Sequence, residues 1–376
     1  MIDQLIEGEV DLEDDSNFRV DVYDGVDNTS MYLGLPGINA FHSVVPGSIM
    51  EFYDYIGVER SVGSRPETDV PAIRPLLSVK YLLNRKDGDS FLDDYNAPLM
   101  PDYEYIKTSG GYYIYENKNY IPYGFSYDYY MSYEFCDSYA KSDRASLMLK
   151  AILLTDEQIQ KYGYLLDNIK DLELPFYNYR TDSTTLSLTD EAMAYDCEQL
   201  RQTSADSFEI DNYGFTAKVT RDKEDLVFFS VPYDEGWSAT VNGKEVEIEK
   251  VNAGFMAVKV DAGVSEIRFN YTTPGLVKGL LITGGACILL LLYIIVWSIY
   301  KKRHSPNNYY PEGEELIKKW REQDREDALK ILAARFPEKI KESILDDDSD
   351  INIPHIENGF DGGFKIDSDM LDDGKD

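Results

Sequence analysis

Apolar and polar residues first alternate at Phe18-Arg19-Val20-Asp21-Val22-Tyr23, the pattern of a strand with one buried face. In 48–56 the apolar residues Ile49, Phe52, Tyr53 and Ile56 share one side of a 3.6-residue period, which predicts a helix. The stretch 74–83 (RPLLSVKYLL) reads as a buried element and 112–116 (YYIYE) as a strand. Between them, 88–102 has the Asn, Asp and Pro content of a surface loop. Residues 16–141 are therefore expected to form an α+β (or α/β) domain. Apolar residues recur throughout 142–172, which predicts helix with Ser142 as N-cap and a capping box of Thr155 and Gln158 opening a second one. Residues 173–201 read as a linker that completes a helical segment, 142–201.

From 202 to 273 the period changes to two. The runs FEI, FTAKVT, LVFFSV, WSATV, VEIEKV, FMAVKV and IRFNY are short and are read as alternating, and Asn242-Gly243 between SATV and KEVEI is the strongest hairpin signal in the chain. Many short strands of even spacing predict a small all-β sandwich. Residues 279–300 then carry no charge over about 33 Å of helix, a match to a hydrocarbon core of roughly 30 Å, and 276–300 is expected to cross a membrane. A buried core helix is the alternative, but such helices keep a polar face. Gly275 and Gly279 form a GxxxG that would allow close helix approach. Lys301, Lys302 and Arg303 follow the span, so the positive-inside rule puts 301–376 in the cytoplasm and the large N-terminal part outside the cell membrane. In the tail a helix is expected over 312–336, with Leu316, Trp320, Leu329, Leu332 and Phe336 on one face. A disordered acidic end follows.

The expected architecture is thus an α+β extracytoplasmic domain, a β-sandwich, one transmembrane helix and an acidic cytoplasmic tail, after an acidic segment 1–15. That segment has no apolar stretch of a secretory signal. The net charge of −32 excludes nucleic acid as a partner, because a binder needs a basic stripe for the phosphates. It also means that attachment to the lipid bilayer comes from insertion, not from charge. No phosphate-binding loop, nucleophile elbow, zinc helix or CxxC occurs, so no cofactor and no metal are expected. Cys136 and Cys197 could pair in an oxidising compartment or stay as separate thiols.

The 30 tyrosines, dense over 103–133, have two readings: packing residues with a polar tip, or ring faces for stacking on sugars. Asn39, His42 and Ser43 in the turn-rich GLPGINAFHS are candidate substrate contacts, with His42 a general acid/base or a structural residue. Tyr233 and Trp237, at the start of the WSATVNGK hairpin, are the other candidates.

The blocks SNFRVDV, GLPGINAFHSVVPGSIMEFYDYIG, PLLSVKYLLN and GGYYIYENKNYIPYGF resemble, in order, the extracytoplasmic part of the YfhO-like bacterial membrane proteins. The stretch from VPYDEGWSATVNGKEVEIEK to NYTTPGL, followed by the apolar helix, is similar to that family's C-terminal signature; together the blocks span 16–300. The resemblance implies a GT-C-type glycosyltransferase moving sugar from a polyprenyl-phosphate donor to a cell-envelope acceptor such as a teichoic acid. The family's catalytic acidic residues lie between early membrane helices and match no position here. The chain is therefore expected to be the C-terminal portion of the pattern, supplying acceptor or glycan binding beside the missing membrane half of the enzyme. The rival expectation is a stand-alone membrane-anchored module that binds glycan or protein.

Overall fold

The computed structural model describes residues 9–42, 44–59, 63–64, 66–171, 186–304 and 311–335. They divide into a large compact unit that ends at Ile282 and a second unit from Thr283 onward.

In the large unit, Arg19–Tyr23 is the predicted strand and runs parallel to Val79–Arg85 at the edge of a four-stranded sheet. Tyr112–Asn117 and Tyr103–Ser109 continue that sheet antiparallel. The stretch 74–83 divides between a turn of helix, Ile73–Leu76, and the strand Val79–Arg85, with Ser78 at φ 56° making the corner. Arg74 in that turn is 2% exposed. Its Nε donates to the equally buried Asp21 at 2.9 Å, and its other N–H groups donate to the carbonyls of Pro66, Glu67 and Val70.

The two helices expected over 142–172 are present but short, and a strand that was not expected separates them. Arg144–Lys150 and Asp156–Tyr162 are helical, and Ile152–Leu154 between them is a strand parallel to Tyr129–Ser132. The local run LMLKAILL suits either state, and pairing with a neighbour decides it. The helix Arg144–Lys150 begins after Asp143 rather than Ser142, with no side-chain cap. The capping box of Thr155 and Gln158 is present in both its bonds. Part of the stretch read as a linker, 172–185, lies outside the described residues; its end is the helix Asp190–Gln202, capped by Thr189. Cys136 and Cys197 are separate, buried thiols, and burial pushes both up from their ordinary range.

From Ser207 to Tyr271 the chain is β, as its period predicts. Five antiparallel strands form one sheet in the order 207–211, 214–221, 263–271, 237–241, 244–246. A second sheet has the order Glu249–Val251, Phe255–Val260, Asp225–Pro232, Phe125–Ser126. The two share a core of Phe215, Val219, Val227, Phe229, Val258, Ile267 and Phe269. Alternate residues of the second sheet, Leu226, Phe228, Phe255 and Ala257, face the other way into the core that holds the helices. LVFFSV is expected to alternate, but its strand is buried on both faces, and a strand so covered is a continuous apolar run. The helix Gly47–Tyr55 sits on the turn that joins the last two of these strands. Phe52 and Phe255 have ring centroids 4.6 Å apart, and a Cβ on Gly254 would lie 2.3 Å from the Ser48 carbonyl. Asn252 in that turn is fully buried at φ 48°. Its Oδ1 accepts from Leu153 N at 2.6 Å, and its Nδ2 donates to Tyr127 Oη at 3.1 Å.

The helix Leu276–His304 has 29 residues and ends in Lys301, Lys302, Arg303 and His304. It is the one helix among the described residues long and apolar enough to cross a membrane. Gly275 precedes it at φ 80°, so the expected GxxxG contributes only Gly279 to the helix itself. In the tail, Pro311–Arg335 is helical, and Leu316 and Trp320 of the expected apolar face are exposed. Phe336 and the acidic end lie outside the described residues.

Candidate functional site

The five residues singled out from the sequence do not converge on one place. Asn39 is held through Nδ2 to the Val22 carbonyl at 3.2 Å, and its Oδ1 is buried with no partner. His42 is exposed beside the short strand Ala40–Phe41, and no carboxylate among the described residues pairs with it. Ser43 lies outside the described residues. Tyr233 and Trp237 are four residues apart but line different recesses.

Tyr233 borders a polar recess in which both lysines, Lys161 and Lys250, are paired with carboxylates. Glu249 accepts from Lys161 Nζ at 2.7 Å, Tyr162 Oη at 2.8 Å and Gln158 Nε2 at 2.9 Å, while Lys161 also reaches Glu247 at 2.6 Å and Lys250 pairs with Glu51. Burial alone would raise the Glu249 carboxyl, but these donors together hold it below the usual range. The arrangement ties the helix Asp156–Tyr162 to the strand Glu249–Val251.

Trp237 borders a cleft of another kind, about 420 Å³ and lined mainly by rings. Register builds it. Trp237 stands directly opposite Tyr271, and Phe215 opposite Phe269, on adjacent strands. Trp237 meets Tyr271 edge-on at 5.0 Å and Phe215 at 5.7 Å; Tyr123 and Phe208 stack at 4.4 Å across the cleft floor. Tyr213 stands 73% exposed at the rim. The turn that delivers Trp237 depends on Gly236, where a Cβ would lie 2.5 Å from the Thr272 carbonyl, and Asp234 Oδ1 accepts from the Gly236 N–H at 2.8 Å.

Three charged groups, Arg19, Asp211 and Asp234, give the cleft its polar edge. Arg19 lies over the Tyr123 ring at 5.0 Å; it donates to the Leu77 carbonyl at 2.7 Å and the Ser230 carbonyl at 2.9 Å, and has no carboxylate partner among the described residues. Asp211 accepts from both Arg268 nitrogens, at 2.7 and 3.0 Å, and from the N–H groups of Tyr213 and Gly214. Arg268 first, then these amides, lower its carboxyl from 3.8 to about 2. Because the folded value is depressed, the resulting stability is present above 3.8 and lost as the pH falls through about 2. The stability difference between the natural chain and Asp211→Ala should therefore hold constant from about pH 7 to 4 and shrink only below that, as read by unfolding at stepped pH.

Ring faces with a few oriented polar groups in a recess of this size suit a small, disc-shaped, amphipathic ligand. The ionisable groups that line the cleft are the carboxylates of Asp211 and Asp234, the Arg19 guanidinium and the hydroxyls of Tyr123, Tyr213 and Tyr271. Among the described residues no group of three His, Cys, Asp or Glu side chains is placed to hold a metal ion. Of the candidates named from the sequence only Trp237 lies here. Arg19, Tyr123, Phe208, Tyr213 and Tyr271 were not singled out, and the cross-strand pairing of WSATV with IRFNY is the signal that could have found the last.

The model of the family described as bacterial membrane protein YfhO matches residues 9–183 and 167–283, most of the 376-residue chain. Among individual proteins, the one from Bacillus subtilis (strain 168) described as uncharacterized protein YfhO is 29% identical over 72 residues. That stretch is 19% of this chain and 8% of the relative, so the match spans a small part of the relative's length. No solved structure matches the chain.

Proposed function

The chain belongs to the YfhO family of bacterial membrane proteins, and from that premise we propose that its large unit is the extracytoplasmic, glycan-binding part of a membrane glycosyltransferase. In this reading the acceptor is a cell-envelope glycopolymer of the teichoic-acid kind and the donor a polyprenyl-phosphate sugar. The Trp237 cleft holds the acceptor, and the transfer step belongs to acidic residues among membrane helices outside this chain. The single observation that carries the reading is the ring-lined cleft, whose flat apolar faces and polar edge match the two sides of a pyranose. Its position along the chain adds support. Tyr271 precedes Leu276 by five residues, so covalent geometry keeps it within about 18 Å of the start of the apolar helix. An outside position for the large unit draws support from Lys301, Lys302 and Arg303 after that helix, by the positive-inside rule.

The test uses the full chain in lipid nanodiscs and purified envelope glycopolymer. The natural chain should retain the polymer, and Trp237→Ala combined with Tyr213→Ala should weaken retention about tenfold or more, the scale of losing buried aromatic anchors. Equal retention by both would sink the assignment of the cleft. A membrane-anchored binding module acting without a transferase would use the same cleft; incorporation of labelled sugar that is insensitive to deletion of the chain would favour it.

A further inference from the structure

A second ring-lined recess, of about 560 Å³, lies on the four-stranded sheet and has no part in the reading above. Arg19, at one end of its strand, lines the Trp237 cleft; Tyr23, at the other end, pairs with Asn84, which lines the second recess. The two places are therefore offset by about 13 Å along that strand.

Sequence and register explain why rings gather here. Tyr105 stands opposite Tyr115 across the strand pair, but an irregularity after Tyr105 brings Thr108, not Lys107, opposite Tyr113. The extra residue puts Tyr105 and Thr108 on the same face, and their hydroxyls bond at 2.8 Å, which fixes the Tyr105 ring. Tyr105 and Tyr113 meet edge-on at 6.3 Å and are 50% and 38% exposed, whereas Tyr115 beneath them is buried against Phe91. The opposite wall is the loop 88–102, and it is held in place. The Asn84 side chain donates to the Asp89 carbonyl at 2.6 Å and accepts from the Phe91 N–H, Leu99 N donates to the Phe91 carbonyl at 2.9 Å, and Phe91 is fully buried. The groove is thus preformed. Its lining alternates rings with polar groups, among them Ser90, Asn96 and Lys86, and Lys86 has no carboxylate partner among the described residues of a chain of net charge −32. Protein hot spots are fully desolvated apolar pockets, and this groove is not one.

We propose that this groove is a second carbohydrate-binding site, which takes a sugar ring on the faces of Tyr105 and Tyr113. The rings give the apolar faces, and the amide and ammonium groups of the lining answer the hydroxyls. It stands on its own observations and does not require the Trp237 cleft to bind sugar.

The experiment is done with the full chain in nanodiscs carrying Trp237→Ala, which removes the first cleft. Binding of cellohexaose, chitohexaose and maltohexaose is followed by saturation-transfer NMR. At least one of the three should still bind, Tyr105→Ala with Tyr113→Ala should weaken that binding about tenfold, and the paired Tyr→Phe changes should keep most of it, since the faces remain. Both tyrosines are partly exposed, so truncation leaves the core intact, and an unchanged circular dichroism spectrum verifies this for each variant. No binding of any of the three in the Trp237→Ala chain, or binding unaffected by the paired alanine change, overturns the proposal. Either result leaves the reading of the Trp237 cleft to its own test.

Discussion

Replacing Arg74 with methionine is expected to lower the stability of the large unit by about 3–5 kcal/mol, and its melting temperature by roughly 10 °C. The reason is what stays behind. Asp21 and Arg74 are each 2% exposed, and the change leaves the Asp21 carboxylate in the interior with its cation gone. The carbonyls of Pro66, Glu67 and Val70 lose their donor in the same step, which frees the segment that Arg74 pins to the sheet. Removing both charges as Asp21→Leu with Arg74→Met should recover a substantial part of the loss, because an apolar pair of similar volume needs no desolvation. As a control, Glu198→Ala, which breaks the exposed pair with Arg201 and leaves the Arg201 bonds to the Tyr120 and Lys118 carbonyls in place, should cost about 0.5 kcal/mol or less. Unfolding followed by circular dichroism measures all of these. A cost near that of the exposed pair would mean that the buried pair holds nothing together.

Asn252→Ala is the second large effect, about 2–4 kcal/mol. Two separate terms contribute. The Leu153 N–H and the Tyr127 hydroxyl each lose a bond in the interior, and a left-handed backbone at φ 48° suits asparagine better than alanine. Asn252→Gly separates them: it relieves the backbone and keeps the lost bonds, so it should recover about 1 kcal/mol and no more. Full recovery with glycine would show that conformation alone, and not the clasp to Leu153, fixes this turn. The clasp matters for the site because it joins the strands that follow Trp237 to the helical core.

Features fixed within a few residues were readable in advance. The Asn242-Gly243 turn has both residues at positive φ, 51° and 76°, as a tight hairpin requires. Thr155 and Gln158 form their reciprocal cap, and the uncharged run after Gly279 is one helix. What needed distant partners was not readable. Ile152–Leu154 is a strand only because Tyr129–Ser132 lies beside it, and Tyr103–Ser109 escaped notice because an edge strand with exposed tyrosines has a weak apolar pattern. The site follows the same division. Trp237 drew attention within its own hairpin, but Arg19, Tyr123, Phe208 and Tyr271 come from positions up to 252 residues apart, and only the sheet registers bring them together. Asn39 and His42 were chosen for residue type in a turn-rich stretch, and the fold gives them no share in the cleft.

The central claim is that a sugar ring packs against Trp237. The chain has three tryptophans, so Trp297→Phe with Trp320→Phe leaves Trp237 as the only indole. Its emission is then measured in nanodiscs as oligosaccharides prepared from envelope glycopolymer are added. The account predicts a saturable change in emission that Tyr213→Ala weakens. Emission that stays flat up to about 10 mM, beyond the millimolar range of weak binding, would contradict it.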